Sequence, residues 1–273
     1  TVAGSRSGKS VGLISNLFFY RGSVVNTDPK GELAEITAEK RAALGQKIIL
    51  LDPFGITSER LAKYRAAYNP MSVLRIDSPS FLEDAALIAE SVIVQSADQR
   101  DPHWDESAKN FLEGVTAHVA TDERFKGRRN LITVRELIKK ALWIEASEGD
   151  DRKNMKPQLY EEMIANAEKL EQQPETADIG GAIMAAALDF YGKSGAEISG
   201  VHSTLNRHTK FLDYSAFRNV LRRNDFDLSE LKTNPDGVSI YLCFPATRIE
   251  ISKRWMRIFV NQLLDAMERE KTV

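Results

Sequence analysis

The sequence lacks most features that would commit it to a special environment. It holds one cysteine, Cys243, in 273 residues, so no internal disulfide can form, and a buried thiol in a reducing compartment is expected. No run approaches the roughly 18 apolar residues needed to cross a bilayer. No charged, then apolar, then small-residue leader opens the chain, so the polypeptide as given is expected to be soluble. Neither sign of charge dominates. Lys plus Arg total 37 against 39 for Asp plus Glu, a formal charge of -2, so any nucleic-acid contact has to be local. Repeats and low-complexity tracts are absent too. With 42% hydrophobic and 28% charged residues, disorder and fibrous folds are excluded. The length suits one large α/β domain or two smaller ones.

What is present begins at once. Ala3-Gly4-Ser5-Arg6-Ser7-Gly8-Lys9-Ser10 follows the phosphate-loop pattern G-x-x-x-x-G-K-[ST], with alanine for the first glycine. Such a loop needs consecutive backbone N–H groups curled round a β-phosphate. It also needs a lysine reaching the β- and γ-phosphates and a hydroxyl on magnesium, all at a helix N-terminus whose dipole favours anions. The candidate binding residues are therefore Gly4, Ser5, Arg6, Ser7, Gly8, Lys9, Ser10 and Val11. Lys9 is the candidate catalytic group, Ser10 the magnesium ligand, and ATP with magnesium the expected cofactor pair. A chance glycine-serine turn is the competing explanation, and placement before a helix and a βαβ unit argues against it. Only Thr1 and Val2 precede the motif, where a buried strand is expected, so the chain reads as a piece of something longer.

Downstream, Val11 to Phe19 has helical character, and Gly22 to Asn26 reads as a short strand. Asp28-Pro29-Lys30-Gly31 is a turn leading into a helix on which Glu32, Leu33, Ile36 and Leu44 recur at helical spacing. Lys47 to Leu51 is a second buried strand, closed by Asp52-Pro53. Strand, helix, strand within about thirty residues is a βαβ unit and predicts an α/β fold with a mostly parallel sheet. From Phe81 onward the periodicity is helical: Phe81 to Val94, Trp104 to Val119, Leu137 to Ile144 behind a capping box at Thr133 to Glu136, Met155 to Glu171, Ile179 to Tyr191 and Ile198 to Phe211. Strand character returns at Val238 to Phe244 and is followed by an amphipathic helix from Ser252 to Glu270. The expected organisation is a nucleotide-binding part at 1–78, an inserted all-α domain at 79–214 and a return segment at 215–273.

Hydrolysis requires an apolar strand ending in a carboxylate that positions magnesium and water. Val24 to Asp28 and Ile48 to Asp52 both qualify in outline. Pro follows each Asp, so a carboxylate capping a turn is the preferred reading of both.

These residues together resemble the TraG-type coupling proteins of type IV secretion and conjugation, hexameric DNA-pumping ATPases related to RecA and FtsK. The resemblance rests on A-x-x-x-S-G-K-S-V-G at 3–12, N-T-D-P-K-G-E-L-A-E-I-T at 26–37, L-D-P-F-G at 51–55 and Tyr68-Asn69-Pro70. It continues with W-D-E-S-A-K-N-F-L-E-G at 104–114 and Asn224 to Lys232 before the last strand. It implies a RecA-like nucleotide-binding domain interrupted by an all-α domain, working as a homo-hexamer at the cytoplasmic face of the bacterial inner membrane. Implied partners are single-stranded DNA, relaxase or effector protein substrates and channel components of the secretion system. It further implies that the carboxylates positioning magnesium lie beyond Val273, so that the chain alone hydrolyses ATP poorly or not at all. A non-hydrolysing docking module for secretion substrates and a small P-loop phosphotransferase are the alternatives.

Weaker signals have plainer readings. Lys126-Gly127-Arg128-Arg129 and Arg222-Arg223 read as solvated basic loops and helix faces before phosphate contacts. Asp101, His103, Asp105 and Glu106 read as a polar helix start before a metal site. His202 and His208 suit ordinary helix-surface or core roles, and Trp255 suits a core anchor.

Overall fold

A computed structural model describes residues 9–94, 102–143 and 156–271, with side chains from Val11. In chain order it runs α1 (Lys9–Phe19), β1 (Val24–Thr27), α2 (Glu32–Ala43) and β2 (Lys47–Leu51). Then come α3 (Phe81–Val92), α4 (His103–Thr121), α5 (Leu131–Lys139), α6 (Gln158–Glu171), α7 (Ala177–Gly192), α8 (Gly195–Thr209) and α9 (Ser215–Leu221). The chain closes with α10 (Glu230–Thr233), β3 (Val238–Leu242) and α11 (Ile249–Arg269). Two compact units emerge. One comprises 1–68, 223–256 and 260–273, the other 69–222 and 257–259.

The first unit is an α/β layer. β3 lies between β1 and β2, all parallel, with Asn26 and Leu50 both level with Tyr241. All five residues of β3 are buried, as a central parallel strand requires, and its V-S-I-Y-L sequence is an apolar run interrupted by one serine. Leu17 of α1 and Leu33, Ala34 and Ala38 of α2 pack on Ile48, Leu50, Tyr241 and Cys243 on one face of the sheet. Leu33, Ala34, Thr37, Ala38 and Arg41 form the buried stripe of α2, whereas Ile36 is exposed. Of the apolar residues expected on the inward face, Leu33 is buried and Leu44 half-buried, and Ile36 falls outside it. Small residues and one arginine make up the rest of that face.

The second unit is helical throughout its described residues, with α4 at its centre against α3, α5, α7 and α8. Asp105, Ala108, Phe111, Leu112, Val115 and Val119 recur along α4 at helical spacing, and all are buried. Phe111 stacks on Phe190 with ring centroids 3.8 Å apart, and Tyr191 meets Phe111 edge-on at 5.7 Å. The helix after the basic loop starts earlier than the capping box predicts. Asn130 is its N-cap, accepting from the amides of Ile132 and Thr133, while the Thr133 hydroxyl donates to the Arg128 carbonyl. An asparagine two residues ahead of the first free amide outcompetes the threonine, whose hydroxyl is already engaged. Among the described residues no helix is long and apolar enough to cross a membrane.

Candidate nucleotide-binding site

The first unit fixes α1 with one side chain. Arg41, on α2, is fully buried with no carboxylate beside it. Its Nη1 donates to the carbonyls of Leu17 at 2.5 Å and Tyr20 at 3.0 Å, its Nη2 to that of Gly22 at 3.0 Å, and its Nε to Ser239 Oγ at 2.5 Å. The first two of those carbonyls belong to the last turn of α1 and its exit, which a helix leaves unpaired and electronegative. The guanidinium satisfies them and compensates its own desolvation, which alone pulls its pKa below the ordinary value. Gln46 continues the clamp, donating to the Arg21 carbonyl at 2.7 Å and accepting from Ser239 Oγ at 2.7 Å. With its C-terminal end tied at the start of the strands, α1 runs antiparallel to them. Its N-terminal half lies beside the strand ends where loops converge.

Two of those loops share one construction. Asp28-Pro29-Lys30-Gly31 follows β1 and Asp52-Pro53-Phe54-Gly55 follows β2, each with the fourth amide returning to the Asp carbonyl, at 3.2 and 3.4 Å. Each also has glycine at positive φ, 72° at Gly31 and 64° at Gly55. Proline presets the turn, and only glycine takes that φ without strain. Asp28 accepts from the Ala34 amide at 2.9 Å and so anchors the first turn of α2. Burial pushes its carboxyl above the ordinary carboxylate range against the opposing pull of the Ala34, Leu33 and Gly31 amides. Asp52 accepts from the amides of Ile56 and Thr57, both at 2.9 Å, and from the Thr57 hydroxyl at 2.6 Å. Both carboxylates are occupied as turn and helix-start acceptors.

Between α1 and the β1–α2 turn lies a groove of about 300 Å³ walled by Leu13, Ile14, Pro29 and Leu33, with Thr27, Asp28, Lys30 and Glu32 as polar members. Beside it, Val24 packs on the α1 and α2 cluster, and strand periodicity puts Asn26 on that same face. The Asn26 side-chain nitrogen is buried and has no hydrogen-bond partner among the described residues. An amide left so costs about 1–3 kcal/mol, which makes it a position that favours an arriving acceptor. Of the sequence-predicted residues, Gly4, Ser5, Arg6, Ser7 and Gly8 lie outside the described residues. Lys9 and Ser10 are the first two residues of α1, and Val11 is 68% exposed.

The other polar candidates fall elsewhere. Asp105 lies in the first turn of α4, the polar helix start expected, but faces inward. It is fully buried, 3.4 Å from Arg207 Nη2 and 3.5 Å from His208 Nε2, because it lies on the inward stripe of α4 three residues before Ala108. His103 pairs with Glu197 at 3.1 Å, and His202 meets the Ile138 carbonyl at 2.9 Å. Asp101 lies outside the described residues. Among the described residues no group of three or more His, Cys, Asp or Glu could hold a metal ion. Cys243 is buried, and burial pushes its thiol well above the ordinary range. Trp255 is fully buried against Phe244, centroids 4.8 Å apart.

A parallel α/β unit with a long helical excursion between its second and third strands, and loops converging beside a helix that starts in a glycine-lysine-serine motif, defines the class. A sequence model described as type IV secretory system conjugative DNA transfer matches residues 1–272. The chain belongs to that family of TraG-type coupling proteins. It is 25% identical over 267 residues to conjugal transfer protein TraG of Escherichia coli, covering 97% of this chain and 38% of that one. It is 23% identical over 255 residues to the type IV secretion system-coupling protein VirD4 of Bartonella quintana, covering 91% of this chain and 35% of that one. The chain thus spans a little over a third of the length of these relatives. The solved bacterial conjugative coupling protein TrwB, in an unbound form, aligns at a TM-score of 0.47 and 13% identity, covering 92% of this chain and 52% of that one.

Proposed function

We propose that this chain is the ATP-binding central part of a type IV secretion coupling ATPase that moves DNA and attached protein toward a secretion channel. The observation carrying the reading is the run from the glycine-lysine-serine motif straight into α1, whose first residue is Lys9, beside the strand ends of a parallel sheet. That is where α/β sheets take phosphates, since the strand-end loops leave a crevice and the helix N-terminus supplies unpaired amides and a favourable dipole. The roles then follow. The backbone of Gly4, Ser5, Arg6, Ser7 and Gly8 cradles the phosphates, Lys9 neutralises charge developing on the γ-phosphate, and Ser10 holds magnesium. Magnesium held by Ser10 would supply positive charge to offset that of the phosphates. The orphaned Asn26 amide and the groove beside α1 fit a polar ligand arriving at this end of the helix.

Asp28 and Asp52 each accept from backbone amides, which fits turn-capping roles before a water-orienting one. This supports poor hydrolysis by the chain alone, with a RecA-like hexameric motor completed by further sequence, held at the cytoplasmic face of the inner membrane. Relaxase or effector substrates and channel components are the partners such a motor takes. Lys9→Ala is expected to abolish tight ATP binding in isothermal calorimetry, with the fold unchanged by circular dichroism. Unchanged affinity would sink the site, and ATP turnover by the chain would overturn the hydrolysis part alone.

A further inference from the structure

The helical unit carries a second polar feature that the nucleotide site does not use. A groove of about 260 Å³ opens between the loop before α5, the exit of α5 and the start of α6. Phe125, Arg128, Leu137, Lys140, Trp143 and Gln158 line the part of interest. Trp143 is 49% exposed, whereas Trp255 is fully buried. An indole left in water forfeits the burial that makes tryptophan worth placing, so its open face suits a partner.

The charges round the groove sort into two sets. Arg124 is held by Asp122 at 2.6 Å and Glu162 at 3.2 Å, Arg129 by Glu123 at 3.1 Å, Lys139 by Asp213 at 3.4 Å, and Glu136 by Arg218 at 3.4 Å. Among the described residues, the carboxylates that line the groove are thus already paired. Lys126, Arg128, Lys140 and Lys156 make no ion pair among the described residues. The Arg128 guanidinium lies 5.0 Å from the Phe125 ring centre and Lys156 Nζ 5.3 Å from that of Tyr160, so two of them are held over aromatic faces instead. A flat exposed ring among unpaired cations combines what single-stranded nucleic acid needs: a stacking platform for a base and positive charge for the flanking phosphates. An acidic peptide would use the cations but leave the indole idle.

We propose that this groove binds single-stranded DNA, one base stacking on Trp143 and the adjoining phosphates meeting Arg128 and Lys140. The assignment deepens the DNA-handling part of the proposed function and is independent of the ATP site. The test titrates the full chain with a thymidine oligonucleotide of about fifteen residues, following tryptophan emission and anisotropy of a labelled strand at several salt concentrations. Binding should quench emission. Trp143→Leu should remove the quench and weaken binding about fivefold or more, while Trp143→Phe keeps most of the affinity. Arg128→Gln with Lys140→Gln should flatten the slope of log affinity on log salt by roughly 1 to 2. ATP affinity should stay unchanged in all of them, so a failed ATP site and a failed groove give different results. No oligonucleotide binding, binding undiminished by Trp143→Leu and by the double variant, or polyglutamate displacing the strand as well as a second oligonucleotide does would each overturn the proposal.

Discussion

The two units solve the same packing problem with opposite materials. The α/β unit is fastened by polar side chains reaching backbone: Arg41 at the end of α1, Gln46 at the α1–β1 turn, Asp28 and Asp52 at the strand ends. A Tyr241–Thr37 hydroxyl contact at 2.6 Å adds to these on the sheet face. The helical unit is fastened by rings, with Phe111, Phe190 and Tyr191 in one cluster. Its buried polar groups are less well served, for His118 is fully buried with neither ring nitrogen bonded among the described residues. The difference follows from connectivity. Parallel strands need crossovers, so helix ends and strand ends meet inside the layer and their unpaired amides and carbonyls must be satisfied there. In the helical unit the ends are met more locally, as where Asn130 caps the start of its own helix. The α/β unit therefore has an organised, polar strand-end region ready for a charged ligand, and its stability depends on a few clamps.

The most direct way to break that contrast is Arg41→Leu. It takes the side-chain donor from the Leu17 and Tyr20 carbonyls and leaves that of Gly22 only Gln46 at 3.4 Å, and at about 1–3 kcal/mol for each group the α/β unit is expected to lose about 3 kcal/mol or more, read as a lowered denaturant midpoint. Acid tests the other unit next. Burial holds the His118 imidazole down, from an ordinary 6.5 to about 4, with Asp122 raising it and Arg124 lowering it to smaller extents. The unfolded chain binds the extra proton first, so stability falls as pH drops from 6.5 toward 4, by at most about 3 kcal/mol. His118→Leu should flatten that window, and an unchanged pH profile would show that the ring is not held neutral. Gly114→Val probes the same core by volume. A Cβ there would stand 2.3 Å from the Ala186 Cβ, so α4 and α7 must separate, at a cost of about 2 kcal/mol visible in thermal melts. Smallest is Asp52→Asn. It keeps one acceptor but loses the charge that draws two amides and a hydroxyl, about 1 kcal/mol, and should leave ATP affinity alone. A large loss of ATP affinity in that variant would return Asp52 to the list of catalytic candidates.

Much of the fold is legible in local sequence. Apolar runs mark β2 and β3, and each Asp-Pro-x-Gly string dictates a turn with glycine at positive φ. The stripe through Ala108, Phe111 and Val115 marks α4. Where local reading fails, a distant partner decides. Ile36 looks inward by spacing and is exposed, because the inward stripe of α2 runs through Leu33, Ala34, Thr37, Ala38 and Arg41. Thr133 resembles an N-cap until its hydroxyl is engaged by the Arg128 carbonyl. Asp105 reads as part of a polar helix start, and only the fold brings buried His208 and the exposed Arg207 to it from α8, about a hundred residues on.

The sequence by itself determined the parallel α/β plan, the helical excursion, the family motifs and the phosphate-loop pattern, because propensity, periodicity and turn chemistry act over a few residues. Only the tertiary structure decided which charges are buried, which stay free, and where α1 is held. Arg41 and Ser239 stand 198 residues apart in the chain and 2.5 Å apart in space, and burial makes every such pairing a property of the whole fold.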